Sequence, residues 1–431
     1  MEIPPAERAR GQRAIIRGAC ASSVIYVTAY GSVATLFLLS LGASPFHVGA
    51  MSTLMGVGVV GQVIGLWVLP RYGKARVCSI GRMASGVPVG LLALLAARGA
   101  PGPASVWLTI AALTAMNLVL YVGDTGWWPL IQDNTAGDAV GAFLVRMRTR
   151  LRLIEIATPL LVGWYLGARP PSARFVAPFL LCAVSIAASG WSVRGIAERR
   201  QGGDPSSLGR LRAALGNVSV RRFLHFLFVR RMVVALSGPF WVVLLNARGL
   251  PAGQNVWMGA LGALGNVCGL RHWGRLVDDH GSRPAFAVTL VPGALLGLAW
   301  LFLPEERLMA WAVAFYLAWG FFEGGYFMGQ THAVMHAVPA ESQAEGFALV
   351  NYAGSLGSMA GAFLGGIAFD QITRWAEQGG PDGRILYLVG TQAGLLVAWI
   401  LSTRLPGYKE QTPARRLAAA AWRRATGGTW R

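Results

Sequence analysis

Residues 284–303, from Pro284 to Leu303, read PAFAVTLVPGALLGLAWLFL, twenty positions without one charged side chain. A helix of that length rises about 30 Å, the thickness of the hydrocarbon core of a bilayer. Working outward, similar runs recur at about 18–41, 46–69, 77–97, 104–131, 143–168, 174–193, 223–247, 254–273, 308–335, 343–370 and 385–404, each bounded by a short polar break. Of the 431 residues 54% are hydrophobic and only 13% charged, too few charges to coat a water-soluble surface of that size. The expected fold class is an all-α polytopic membrane protein with twelve transmembrane helices.

The net charge of +19 raises the question of nucleic acid, which the placement of the charges answers. Thirty of the 38 Lys and Arg lie in the termini, in the connections after even-numbered spans, or beside them: Arg8 to Arg17, Arg71 to Arg76, Arg146 to Arg152, Arg194 to Arg231, Arg271 to Arg283 and Arg404 to Arg431. The positive-inside rule puts that side, with both termini, in the cytoplasm of a plasma membrane, of bacterial inner-membrane type. No nucleic-acid partner is expected. The first seventeen residues are polar and Arg-rich and the apolar run after them is of full spanning length, so it is expected to stay as a helix. Cys20, Cys78, Cys182 and Cys268 fall within spans without metal spacing, so neither a disulfide nor a metal site is expected, and no cofactor.

The longest polar segment follows the sixth span. The expected organisation is a tail over 1–17, an N-terminal six-helix half over 18–193, a linker over 194–222, a C-terminal half over 223–405 and a basic tail over 406–431. An internal repeat supports two pseudo-symmetric halves. Asp124, Thr125, Gly126, Trp127, Trp128 in span four matches Glu323, Gly324, Gly325, Tyr326, Phe327 in span ten, an acid followed by any residue, glycine and two aromatics. Gly141 to Val145 and Gly346 to Val350 follow in the same order, at offsets of about 200 residues, the size of a six-helix unit.

Between spans eight and nine stands Gly274, Arg275, Leu276, Val277, Asp278, Asp279, His280, Gly281, Ser282, Arg283. This resembles the Gly-x-Leu-x-Asp-x-x-Gly-x-Arg loop of the major facilitator superfamily, which joins spans two and three and often recurs between eight and nine. At the first location Gly73, Arg71, Lys74 and Arg76 survive, but Pro70 stands in place of the family aspartate. Span eleven, with Gly357, Gly361, Ala362, Gly365 and Gly366, is similar to the family's Gly-Pro-x-x-Gly-Gly pattern with Ala362 for the proline, and span five keeps Pro159 and Gly163 of it. Close helix packing is the expected use of such glycines. The resemblance implies the fold of that superfamily, a central cavity lined by spans one, four, seven and ten, and alternating access by rocking one half against the other.

Charges inside spans are costly and face the bundle interior or a wet cavity. Asp124, Glu323, Glu155 and Arg82 are the clear cases. Asp124 and Glu323 hold corresponding places, with Asn117 and Gln330 seven residues away on their faces. Either carboxyl could take up a proton, or Asp124 could be held in a fixed pair with Arg82; Glu155 follows Arg148 and Arg152 at helical spacing, which favours a local ion pair. Tyr26 and Tyr30 share one face of span one and could hydrogen-bond a solute.

The signs of the loop charges suggest a cytoplasmic gate. Arg71, Lys74 and Arg76 have counterparts in Glu341 and Glu345, while Asp278 and Asp279 could meet Arg146, Arg148, Arg150 or Arg152, which would favour an outward-open state. No Gly-x-x-x-x-Gly-Lys-Ser/Thr loop occurs, no paired-acid motif lies at one depth within a span, and His332 and His336, spaced His-x-x-x-His, stand at the cytoplasmic end of span ten and read as solvated, so neither an ATPase nor another enzyme is expected. The expected activity is secondary transport of a small organic solute by a monomer in the bilayer. Proton coupling and efflux of an amphipathic or cationic compound are favoured. The alternative is a lipid handler or a non-transporting assembly or sensor factor on the same fold.

Overall fold

The computed structural model describes residues 3–135, 140–199, 215–302, 305–337 and 343–405. They form helices α1 (Pro5–Ser40), α2 (Pro45–Tyr72), α3 (Lys74–Arg98), α4 (Pro103–Asn134), α5 (Val140–Leu166) and α6 (Ser172–Val193). After the central polar segment come α7 (Val218–Ala247), α8 (Ala252–His280), α9 (Ser282–Phe302), α10 (Leu308–Ala337), α11 (Gln343–Glu377) and α12 (Arg384–Ser402). Among the described residues nine helices are long and apolar enough to cross a membrane by length and composition; α5, α8 and α10, which carry Glu155, Asp278, Asp279 and Glu323, are helical at the remaining expected places.

Helix α1 begins at Pro5, a residue type suited to a first turn whose N–H has no helical partner, so the polar stretch before the expected first span is already helical and packs through Ile15 and Ile16. Three of the N-terminal helices are interrupted. Helix α1 breaks at Ser23 and again between Thr28 and Ser32, α2 breaks at Gly58–Val59, and α4 breaks at Thr125–Gly126, directly after Asp124. Irregular backbone at membrane depth is tolerated where it is covered by protein or lines a wet cavity. Both breaks in α1 and the one in α4 flank the polar residues singled out from the sequence.

The two halves repeat one packing scheme. In the first, α2 packs on α4 and α3 on α6; in the second, α8 packs on α10 and α9 on α12. Each half has its own aromatic cluster, Phe37 with Phe175 and Phe179 in the first and Trp241 with Trp300 and Phe315 in the second, and the apolar packing runs on across the join through Val256 and Val48. The halves meet where α2 crosses α11 and α5 crosses α8. Both crossings are backbone to backbone at glycine. A Cβ on Gly49 would lie 2.6 Å from Ala362 O and from Gly366 Cα, and a Cβ on Gly163 would overlap Gly253 O. Gly49 and Gly253, like Gly163 and Gly366, are about 200 positions apart, so the pseudo-twofold exchanges one crossing for the other.

These contacts gather at one end of the bundle, the end of the connections after odd-numbered helices. Thr53 donates to Met359 O at 3.3 Å, Gly253 N to Gly167 O at 2.7 Å, Ala252 N to Ala168 O at 2.9 Å and Trp257 Nε1 to Leu160 O at 3.1 Å. The gate expected from loop charges belongs to the other end.

Candidate functional site

On α1, Val24, Ile25 and Thr28 are buried, whereas Tyr26 and Tyr30 are 58% and 40% exposed. These rings lie tilted against each other, 5.8 Å between centroids. Tyr26 is close enough to Asp124, Glu155 and Arg82 to feel their charges. Tyr30 donates its hydroxyl to Asn117 Oδ1, and Asn117 Nδ2 donates to Met55 O at the break of α2. The sequence candidates on α1 and α4 are thus brought together around one polar wall.

Asp124 and Arg82 are paired. Arg82 donates Nε to Asp124 Oδ1 at 2.9 Å, with Nη2 at 2.8 Å from the same oxygen, and donates Nη1 to Ser189 Oγ at 2.8 Å. The Ser189 hydroxyl in turn donates a hydrogen bond to Gly18 O at 2.8 Å, and the guanidinium lies 3.8 Å from the centre of the Trp127 ring. All three guanidinium nitrogens have partners, and the network joins α3, α4, α6 and α1. The fixed-pair alternative raised for Asp124 is the arrangement found; its carboxylate still keeps 35% of its side-chain surface open.

The second half carries the same device built from a different helix. Glu323 pairs with Arg230 of α7, whose guanidinium lies 3.6 Å from the centre of the Tyr326 ring. In both halves an arginine therefore takes the acid of the repeat and covers the aromatic three residues later, the spacing that puts both on one helix face. Glu323 is 35% open and Arg230 nearly enclosed, matching the first pair. The satisfaction differs: Arg230 Nε and Nη1 are buried and have no hydrogen-bond partner among the described residues, and the Tyr326 hydroxyl and Gln330 Oε1 nearby on α10 are likewise unpaired among them. A buried donor without an acceptor costs about 1–3 kcal/mol.

Glu155 forms the local pair its spacing indicated, with Arg152 Nη1 at 2.5 Å. Arg148, one turn earlier, reaches across to the other half, with its guanidinium 4.3 Å from the centre of the Phe327 ring. Phe327 is the second aromatic of the repeat, so α5 touches the motif of α10 directly.

At the even-connection end, Gly73 and Gly281 each stand between two helices at φ +84° and +82°, a conformation that favours glycine. The turn is the same in both halves although the surrounding motif is complete in only one. Gly274 faces open space, so its missing side chain is not used for packing here. Asp278 and Asp279 occupy the exposed last turn of α8; Arg71, Arg146 and Arg150 are exposed, and Arg283 is half-buried. Lys74 does not wait for a charge from the other half: it is buried and meets Asp133 Oδ2 of α4 at 2.6 Å. Glu341 and the side chain of Glu345 lie outside the described residues.

Beyond α6 the chain turns back over this end. Arg199 N donates to Asp133 Oδ2 at 3.0 Å, Asn134 Nδ2 to Ala197 O at 3.0 Å, and Ala75 N to Glu198 Oε2 at 2.8 Å. Glu198 thus places a carboxylate at the N-terminus of α3, where unpaired N–H groups and the helix dipole favour negative charge. Pro70 cannot supply that carboxylate; Glu198 does. Arg230, Ser189, Asp133 and Glu198 were not among the sequence candidates. Arg230 alone left a signal, being a charge eight positions inside the expected seventh span.

A family model described as Major Facilitator Superfamily matches residues 18–362. Solved structures of similar fold include the nucleoside transporter NupG, with a TM-score of 0.67 and 12% identity over 93% of this chain and 100% of that one. A D-xylose-proton symporter aligns with a TM-score of 0.66 and 12% identity, over 94% and 99% of the two chains. The peptide transporter POT in complex with sulfate aligns at 0.65 with 13% identity, over 91% and 94%. No curated protein sequence matches the chain.

Proposed function

The chain belongs to the major facilitator superfamily, a family of multi-pass membrane transporters, and we propose that it carries a small organic solute by alternating access, with Asp124 and Glu323 as the polar floor of the path. One observation carries this reading. Two carboxylates in corresponding helices each keep about a third of their surface open, while the arginine that balances each is buried behind it. The face offered to the cavity is therefore anionic, beside the exposed rings of Tyr26 and Tyr30. Carboxylates and aromatic faces together suit an amphipathic cation. Separation of either carboxylate from its arginine during the cycle would remove the charge that keeps it ionised, and on that ground efflux driven by a pH gradient is the mode proposed.

With the Lys- and Arg-rich connections in the cytoplasm of a bacterial inner membrane, the glycine crossings close the outer end, and the conformation is inward-facing. The test is transport by the purified monomer in proteoliposomes, with rhodamine 123, a lipophilic cation that bears an ester carbonyl, with and without an imposed pH gradient. Gradient-dependent movement by the wild type, lost in Glu323→Gln or Asp124→Asn, is the expected result. Movement that neither variant changes would make both acids structural. Absence of transport across a panel of organic cations, anions and neutral solutes would favour a non-transporting role.

A further inference from the structure

The two arginine–acid–aromatic sets have the same outline and different degrees of satisfaction. Arg82 has a partner for every nitrogen, and Ser189 relays its charge to the backbone of α1 through Gly18 O. Arg230 is held by Glu323, and its Nε and Nη1 are enclosed without an acceptor among the described residues. The two sets also sit on different supports. Asp124 lies at a break in α4, where backbone can adjust, whereas α7 and α10 run unbroken from Val218 to Ala247 and from Leu308 to Ala337. Local relaxation of the backbone is thus open to the first set and not to the second. Glu323, being partly solvated, can be released at modest cost, but Arg230 cannot stay buried without an anionic or carbonyl oxygen to replace it.

We propose that the halves divide the work: Arg82–Asp124 is a fixed strut, and Arg230–Glu323 is the exchangeable pair, at which Arg230 receives a carboxylate or carbonyl oxygen of the solute while Glu323 lets go. This rests on the transport reading above and adds a requirement to it, that the solute carry an oxygen acceptor as well as its cationic or apolar part. The two free nitrogens of Arg230 are covered in this conformation, so the exchange belongs to the step in which the halves move. Arg230 is then a specificity-determining residue, and Tyr326 positions it by stacking.

Stability separates the two roles without any knowledge of the solute. In the full-length protein in nanodiscs, Arg82→Gln with Asp124→Asn should lower Tm by about 5 °C or more, since it dissolves a network of four helices. Arg230→Gln with Glu323→Gln should leave Tm within about 2 °C of wild type or raise it, because removing an under-satisfied buried charge together with its partner is neutral or stabilising. Equal losses in both double variants would overturn the division. For the acceptor requirement, benzoate serves as the carboxylate probe. It should raise the Tm of the wild type and of the Arg82/Asp124 double variant but not of the Arg230/Glu323 one. No shift in wild type up to the solubility limit, or a shift retained without Arg230, overturns that part. Failure of the transport reading would show separately, as a wild type that moves no probe while the order of Tm values holds.

Discussion

Ser189 accepts from Arg82 Nη1 and donates to Gly18 O, so a single hydroxyl closes the network of the first half. Ser189→Ala leaves one buried N–H of Arg82 without an acceptor and should destabilise the protein by about 1–3 kcal/mol, read as a lowered Tm in detergent. A second residue sets the behaviour in acid. Asp382, in the turn before α12, accepts from Arg384 N at 3.1 Å and Arg384 Nε at 2.7 Å, and these bonds, with the Arg384 charge, depress its pKa from 3.8 to about 2. A depressed carboxylate contributes stability that is complete above its unfolded value and is lost as pH falls through the folded one. Tm should therefore fall between about pH 4 and pH 2, and Asp382→Asn should flatten that limb of the Tm profile. At this scale the pair of Asp124 with Arg82 was within reach of the sequence, because both are charges inside apolar spans. Arg230 was not singled out, because it follows a run of arginines that begins in the linker and merges with it. Its place inside the expected seventh span was the one sign that set it apart from the topological arginines, and nothing in the pattern points to the acid 93 residues away that it faces.

At the scale of elements, the sequence showed where the family loop is broken and could not show how the chain makes up for it. Pro70 marks the loss. Glu198, which restores a carboxylate to the start of α3, is 123 positions from the N–H it accepts from, in a stretch whose composition reads as plain linker. Glu198→Gln should weaken this cap by up to about 1 kcal/mol, and Glu198→Asp by less, measured as Tm in the full-length protein. The strap is also anchored through Asp133, where Lys74 and Arg199 N converge on one oxygen. Asp133 escaped notice because the fourth span was expected to end at about residue 131, whereas α4 continues to Asn134. The interruptions of α1 and α4 were equally hidden. An apolar run reads as one helix whether or not its backbone bends, and Gly31 and Gly126 are two glycines among 56.

For the whole molecule, the apolar runs, the linker and the acid–aromatic repeat sufficed to expect helices in two similar halves, because membrane-spanning length and repeat order are properties of the sequence alone. Which end of the halves is joined is not such a property. Loop charges suggested contact at the even-connection end, but Lys74 is neutralised within its own half, and the crossings form at the other end through glycines, which carry no sign to read. The arrangement predicts one-sided access. In a variant lacking Cys20, Cys78, Cys182 and Cys268, Tyr26→Cys should react with a membrane-impermeant maleimide added from the side of the arginine-rich connections and resist it from the other. Equal labelling from both sides would contradict a closed outer end. The glycine crossings have a further consequence. Since Gly49 and Gly253 leave no room for even a methyl group, Gly→Ala at either is a wedge. Two such wedges, one on each side of the pseudo-twofold, would prise the joined end apart symmetrically while leaving Asp124, Glu323 and their arginines in place, yielding a protein biased toward its opposite conformation by shape alone.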